Sequence, residues 1–474
     1  MRILLVEDNK TIGPEMVTTL TAMEHVRDVH LARSKAMGVQ ALEGAFYDLL
    51  ILDLGLPLTD DDADQAVEHG QDLFAIAQEI CPGLPIIVLT GSTTTAWGER
   101  LGRFGHNVDL WGSGTPSNTV DYIRKEDVED LYREVERISA EVAAVNAIRI
   151  NTRGKRLDLY PGWERAIRVA ARKLGGVNAE VSPLSGGLSR VRVFLVKVFD
   201  GAGARIATMA AKLGDRQEVA NEIAAYDRHV QRLPVGTFPH RTETLELGLC
   251  GKGAIFYRLA DDYRSTLFDA LAEDPQGAVK VIERLKSNMQ IWIDAATVQP
   301  RSIAEIRRHI LWDEEFEAIK TTHGLEVDDI EAMTVDVRVG CVHGDLHGGN
   351  VLIADPPDAV IIDFGDVSET SLCLDPVTLE LCAVFHPAGA AKGLIADLSS
   401  YFAAWPDVDA LPATDFGAYL RACREWSYDV GHDDLSVLAT AYAYAVRQLR
   451  FDAVDKAQTL QLVQTLAQAL RAAR

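Results

Sequence analysis

The chain is short of paired cysteines, long apolar runs and positive charge, and each shortage removes a class of function. Its six cysteines, at 81, 250, 341, 373, 382 and 423, include no C-x-x-C pair, so neither a zinc site nor a disulfide framework is indicated. Free buried thiols in a reducing cytoplasm are the expectation. The apolar stretch at the N-terminus is far too short for a membrane span or secretion signal and reads better as a first strand. A cytoplasmic protein without a membrane partner is therefore expected. Lys and Arg number 47 against 70 Asp and Glu, a formal net charge of -23, and the cations form no cluster. That argues against DNA as a partner, because a phosphate-neutralising surface needs grouped Lys and Arg. An acidic surface instead favours cationic substrates, although whole-chain charge bears more directly on solubility. No internal repeat or low-complexity segment is present. At 474 residues, 47% hydrophobic and 25% charged, the chain has room for two modules and no large third one.

What is present begins with His343-Gly-Asp345-Leu-His-Gly-Gly-Asn350, followed by Val360-Ile-Ile-Asp363-Phe-Gly365. Phosphoryl transfer needs a carboxylate to hold the acceptor hydroxyl and a divalent ion to neutralise the transferring group. Asp345 can be that carboxylate, and Asn350 and Asp363 offer hard oxygens suited to Mg²⁺. The runs Val351-Leu-Ile353 and Val360-Ile-Ile362, around Asp355-Pro-Pro-Asp358, read as a hairpin that brings Asn350 and Asp363 to one end.

At these residues the sequence resembles the aminoglycoside phosphotransferase and choline kinase family, relatives of the protein kinases. The family motif usually has Pro where this chain has Gly348. The resemblance implies an ATP- and Mg-dependent phosphotransferase with a nucleotide-binding lobe upstream. Ser182 to Ser189, with Gly186 and Gly187, would be the turn over the phosphates. Lys212, in the strand Ala207 to Leu213, would reach the α and β phosphates, and Glu222 would orient it, with Glu218 as rival. Ala254 to Leu259 would link the lobes. Asp375 matches a structural carboxylate under the catalytic loop, or else N-caps a helix beside Pro376. Helices are expected over Pro275 to Ala296, in pieces from Pro406 to Trp426, and over Asp433 to Arg474. Trp292, Trp312 and Trp426 would line an acceptor pocket or serve as core. Aminoglycosides and other polyamines fit the acidic charge as acceptors.

The N-terminal third carries a second pattern. Met1 to Val6 is a buried-strand run ending in Glu7-Asp8, and Tyr47 to Leu52 is another ending in Asp53. Ile86 to Thr90 ends in a hydroxyl, and Val120 to Lys125 carries Tyr122 and Lys125. This resembles the response-regulator receiver domain. The resemblance implies Asp53 as phosphoacceptor, Glu7, Asp8 and Asp53 as Mg²⁺ ligands, Thr90 and Tyr122 as switch residues, and Lys125 as phosphate partner. A sensor histidine kinase or phosphotransfer protein would be the phosphodonor. Two stretches, Thr59 to Asp64 and Trp97 to Pro116, look longer than receivers usually have and would sit around the phosphorylation pocket.

Val128, Leu131, Val135, Ile138, Val142 and Val145 recur at three- and four-residue intervals, which fits either a short coiled coil making a homodimer or one amphipathic helix lying on its own domain. The fold class expected is α/β: a doubly wound (βα)5 receiver over 1-140, linker helices over 141-180, then an α+β, two-lobed kinase-like domain with lobes 181-262 and 263-474. The function expected is transfer of the ATP γ-phosphate to a small-molecule hydroxyl under control of Asp53. The alternatives are an adaptor that binds ATP or a protein partner without turnover, a protein-directed kinase, or a nucleotidyltransferase.

Overall fold

The computed structural model describes all residues except 62-64, 92-103, 158, 185-191, 260-264, 355-357, 391-396 and 474. It falls into two compact units, residues 1-221 with 240-259, and residues 222-239 with 260-474. Among the described residues no helix is long and apolar enough to cross a membrane.

The first unit opens with a parallel sheet of β1 (Arg2–Val6), β2 (Asp28–Ala32), β3 (Leu49–Asp53), β4 (Ile86–Thr90) and β5 (Val120–Arg124), in the order β2-β1-β3-β4-β5. Its central strands read Leu-Leu-Val and Leu-Leu-Ile-Leu because helices cover both faces and no side needs to be polar. Those helices are α1 (Ile12–Thr21), α2 (Lys35–Gly44), α3 (Val67–Ile80) and α4 (Val128–Asn146). All strands run one way, so their C-terminal ends gather Glu7, Asp8, Asp53 and Lys125, where the sequence order of an open α/β sheet puts its site. This is the doubly wound receiver arrangement that the sequence implied.

Helix α4 bears on the two alternatives for its apolar spacing. Leu131, Val135 and Val142 are fully buried and Ile138 is 3% exposed, all packed in the unit's own core with β1 and β3. The three-and-four periodicity is that of an amphipathic helix packed on its own domain. The helix also runs to Asn146, and the segment expected to hold only linker helices contains strands as well.

Those strands start a second sheet: β6 (Arg149–Asn151), β7 (Asn178–Pro183), β8 (Arg192–Phe199), β9 (Arg205–Asp215), β10 (His240–Leu245) and β11 (Lys252–Arg258), in the order β6-β7-β8-β9-β11-β10. Helix α5 (Pro161–Lys173) packs its Ala166, Ile167 and Ala170 against this sheet, with Pro161 setting the first turn.

Within the first unit the two sheets are joined at the N-terminal end of the parallel one. Leu110 and Trp111 are buried in one cluster with Val169, and Leu245 and Leu247 pack on it. Buried Arg165 pairs with buried Asp48, and its guanidinium lies 5.4 Å from the Trp111 ring centre and 5.6 Å from that of Phe46. Gly83, at φ +76, brings its turn so close to Leu247 that a Cβ there would lie 2.5 Å from the Leu247 Cβ. The described end of the Trp-containing stretch is thus a ledge for the second sheet, at the opposite end of the strands from Asp53. Its expected place around the phosphorylation pocket is corrected for residues 107-116.

At the same junction Cys81, after α3, and Cys250, before β11, are joined as a disulfide, against the expectation of free thiols throughout. A search for short cysteine spacings is blind to partners 169 residues apart. Cys341, Cys373, Cys382 and Cys423 are free and buried, as expected. Non-reducing peptide mapping of the oxidised full-length chain is expected to yield a linked Cys81–Cys250 peptide. Recovery of both residues as separate alkylated peptides contradicts the pairing.

The second unit is mostly helical. Its small sheets are β12 (Thr297–Ser302), β13 (Thr334–Val342) and β16 (Ser368–Ser371), ordered β12-β13-β16, and the hairpin β14 (Val351–Ala354) with β15 (Asp358–Ile361). Around them lie α7 (Pro275–Asn288), α8 (Leu374–Phe385), α9 (Asp415–Val430), α10 (Asp434–Gln448) and α11 (Lys456–Ala472). The single helix expected over 275-296 stops at Asn288, resumes for Gln290–Asp294, and gives way to β12. The cause is the Thr-Val pair followed by Pro300, which suits an edge strand paired with β13 and not a helix. The helix expected over 433-474 is broken at 449-455, where Asp455 caps α11 by accepting from the Gln458 N–H at 3.1 Å.

Candidate functional site

In the second unit, β13 delivers the chain into the loop His343 to Asn350, and the hairpin β14–β15 returns it to Asp363. Residue Val351 pairs with Ile361, the Ile362 N–H donates to the Asn350 carbonyl at 3.0 Å, and the Asn350 side-chain NH₂ donates to the Asp345 carbonyl at 2.9 Å. Asn350 thereby keeps its own side-chain oxygen available as an acceptor while fixing the loop that carries Asp345. The hairpin expected from the sequence brings Asp345, Asn350 and Asp363 into one constellation.

Asp375 settles between its two readings. At 2% exposure, in the first turn of α8, it accepts from the His343 N–H at 2.7 Å and the Gly344 N–H at 3.0 Å. It therefore clamps the start of the loop His343 to Asn350, and burial pushes its pKa up against the pull of His343. Gly344, at φ +84, lies against the Asp366 carbonyl so closely that a Cβ would be 2.3 Å from that oxygen. Asp363 is itself left-handed at φ +68, an uncommon state for a residue other than glycine. Phe364, fully buried, packs edge-on against His343 at 5.9 Å and Tyr226 at 5.9 Å.

The Gly348 departure has a packing reason. A Cβ at Gly348 would lie 2.7 Å from the Phe268 ring, so Phe268 occupies the space a proline ring would need. Phe268 in turn stacks on His386 at 4.8 Å, and His386 on His347 at 5.0 Å. His347 Nδ1 accepts from the Gly349 N–H at 3.0 Å, so a neutral ring carries its proton on Nε2, 3.8 Å from Asp345 Oδ2. Burial lowers the pKa of His347, and that of His386 to about 4, which keeps both rings neutral at pH 7.

Asp366, Arg447 and His386 were missed by the sequence reading. Burial, then the charges of Asp345 and Asp363, push the Asp366 pKa up, which marks a concentration of carboxylates beside the loop. Such a concentration is what a hard divalent cation relieves, and the oxygen-only donors of Asn350 and Asp363 fit Mg²⁺. Arg447, near the end of α10, places both terminal nitrogens 3.4 Å from Asp345 Oδ1. Asp366 is adjacent to the motif and could have been read from it. Arg447 is 102 residues away and had no local signal.

In the first unit four of the residues expected at the receiver site, Glu7, Asp8, Asp53 and Lys125, lie together. Oxygens of Glu7, Asp8 and Asp53 all lie within 4.8 Å of one another, and Lys125 Nζ donates to Glu7 at 2.7 Å and Asp53 at 2.9 Å. Burial pushes the Glu7 and Asp53 carboxyls above their usual range, against the opposing pull of Lys125. Burial also works against the Lys125 charge, but its bonds to the two carboxylates outweigh it and raise its pKa. Three crowded carboxylates with a single lysine fit a divalent cation. Gln65, after the acidic stretch, donates to Asp8. Thr90 ends β4 with its backbone paired to Arg124, and half-buried Tyr122 packs on the core beside β4.

Of the residues expected to bind nucleotide, Lys212 is buried on β9, paired in register with Val193 and Ile255. On helix α6 (Arg216–Arg228), Glu222 is 2% exposed whereas Glu218 is exposed and accepts from the Asp215 N–H at 3.2 Å. Gly186 and Gly187 lie outside the described residues. Trp292 and Trp426 are buried core at 1% and 2%, and Trp312 is 70% exposed.

No family model and no curated protein matches the chain. Among solved structures, the receiver domain of the Francisella response regulator 1452 is similar at 18% identity, covering 30% of this chain and 98% of that one, with a TM-score of 0.23. A thermostable mutant of aminoglycoside phosphotransferase APH(4)-Ia is similar at 12% identity, covering 61% of this chain and 94% of that one, with a TM-score of 0.36. An aminoglycoside-3'-phosphotransferase of type VIII is similar at 15% identity, covering 56% and 100%, with a TM-score of 0.32. The chain is thus similar in its N-terminal part to receiver domains and in its larger remainder to aminoglycoside phosphotransferases.

Proposed function

We propose that this protein is a receiver-regulated phosphotransferase that moves the ATP γ-phosphate to a hydroxyl of a small molecule. The observation that carries the reading is the joining of Asp345, Asn350 and Asp363 by the Asn350 side-chain bond at 2.9 Å and the hairpin register Val351 to Ile361. Asp345 accepts the proton of the acceptor hydroxyl as the oxygen attacks phosphorus. Asp375 holds the loop in place through two backbone N–H groups. Asn350 and Asp363 hold Mg²⁺, which when bound neutralises charge on the transferring group. Lys212, oriented by Glu222, binds the ATP phosphates.

Control comes from Asp53, which takes a phosphoryl group from a sensor histidine kinase or phosphotransfer protein, with Glu7 and Asp8 supplying the remaining Mg²⁺ ligands and Lys125 the phosphate partner. The test is Mg²⁺-dependent phosphoryl release and transfer from labelled ATP by the full-length protein and by Asp345→Asn. Turnover that falls in the variant supports the assignment. Nucleotide binding with no turnover in either protein favours an ATP-binding adaptor, and undiminished turnover in Asp345→Asn contradicts the base.

A further inference from the structure

Beside the carboxylates of the loop, the proposed base also meets one charge opposite to that of the chain as a whole. Net charge is -23, which favours cationic acceptors, yet the side chain that reaches Asp345 from α10 is an arginine. Arg447 is one-fifth exposed, and among the described residues Asp345 is the one carboxylate within ion-pair distance of it. Both of its terminal nitrogens approach a single oxygen, Oδ1, at 3.4 Å. Charge-assisted pairs normally close to about 2.7–2.9 Å, and a guanidinium can present two parallel N–H groups to a planar anion. Arg447 is therefore loosely engaged, with donor capacity left over beside the base.

Its surroundings add cations. Arg450 follows about one turn later, paired with Glu315 at 3.3 Å, and Lys456 donates to the Leu449 carbonyl at 2.8 Å and to the Phe451 carbonyl at 2.5 Å. Arg447 and Arg450 both lie against the Phe451 ring, at 5.6 and 5.8 Å from its centre. On the Oδ2 side of Asp345 the wall is the ring stack of His347, His386 and Phe268. Around Asp345 lie the Arg447 guanidinium and the carboxylates of Asp363 and Asp366, the latter being the charges that a bound divalent cation would neutralise.

We propose that the acceptor carries an anionic group, a carboxylate or phosphate, close to the hydroxyl that is phosphorylated, and that Arg447 binds that group. This rests on the phosphotransferase reading above and narrows its substrate class away from polyamines. The transferred bond is unchanged: the acceptor oxygen bonds phosphorus, ADP leaves, and the hydroxyl proton passes to Asp345.

The test uses the full-length protein with Mg²⁺ and labelled ATP, and acceptor pairs sharing a hydroxyl scaffold. The pairs are glycerol 3-phosphate against glycerol, L-serine against ethanolamine, and gluconate against glucose, with kanamycin and choline as cationic acceptors. At least one anionic member is expected to exceed its partner in kcat/KM by about tenfold or more, mainly through KM. Arg447→Gln is expected to shrink that ratio about 10- to 100-fold, the scale of losing a hydrogen bond between charged groups, with partial rescue by Arg447→Lys. A merely structural arginine would lower both members of a pair alike, and an unchanged ratio overturns the proposal. So does preference for a neutral or cationic acceptor, or failure of every anionic acceptor while ATP turnover remains sensitive to Asp345→Asn. Absence of any Asp345-dependent turnover overturns the underlying phosphotransferase reading instead.

Discussion

Replacing Asp363 is expected to lower Mg²⁺-dependent ATP turnover by at least roughly 10³-fold, because a metal ligand on the transferring group contributes several kcal/mol to the transition state. The choice of substitute matters. Asp363 sits at φ +68, where Ala would add strain of about 1–2 kcal/mol while Asn tolerates the left-handed state. Asp363→Asn therefore separates loss of the carboxylate from damage to the loop. Steady-state turnover with a thermal melt on the same sample reads both quantities. A native melt with turnover near wild type contradicts the metal assignment. Asp363→Ala with a lowered melting temperature, beside Asp363→Asn without one, would confirm the backbone contribution separately.

Arg424→Ala is expected to destabilise the second unit by about 3–5 kcal/mol, the usual result of removing one partner of a buried ion pair. Arg424 and Glu380 both have fully buried side chains. The arginine Nε donates to Glu380 Oε2 at 2.6 Å, its guanidinium carbon lies 3.5 Å from the Trp405 ring centre, and it also donates to the Trp405 carbonyl. The Tyr401 hydroxyl donates to Glu380 Oε1 at 2.6 Å. Deleting the cation leaves Glu380 charged inside α8, the helix that carries Asp375 at its start. Denaturant unfolding should show the loss, and the paired change Glu380→Leu with Arg424→Met should recover most of it. A single-variant loss below about 1 kcal/mol would mean that water or another residue replaces the arginine. Because Asp375, at the start of α8, holds the backbone of His343 and Gly344, the proposed turnover should fall in Arg424→Ala along with stability.

Much of both sites was legible because their residues are local in sequence. Asp345, Asn350 and Asp363 are separated by a turn and a hairpin, whose strand and turn residues encode that geometry directly. Glu7, Asp8 and Asp53 were legible because each ends a buried parallel strand, and parallel strands align their ends. What stayed hidden depends on distant segments. Arg447 meets Asp345 only because α10 packs against the loop region, and Cys250 meets Cys81 only because two glycine turns interlock. The seam of α4 was ambiguous for a different reason: a heptad and a short amphipathic helix give the same apolar spacing over this length. Leu131 to Val145 could be assigned only once their burial against β1 and β3 was visible.

The position of the second sheet sharpens the question of control. It rests on the N-terminal end of the receiver strands, through Trp111, Arg165 and Leu247, while Asp53 lies at the other end. Under the proposed control, phosphorylation of Asp53 would act through the parallel sheet and its helices, or on surfaces near Asp53 itself, by favouring one arrangement over another. The most direct measurement is Mg²⁺-dependent ATP turnover by the full-length protein with and without beryllofluoride, with Asp53→Ala and Asp363→Asn beside it. A receiver-gated phosphotransferase gives a rate that changes with beryllofluoride in the wild type, does not change in Asp53→Ala, and is absent in Asp363→Asn. Equal rates with and without beryllofluoride in the wild type, with the Asp363 dependence intact, would contradict control through Asp53.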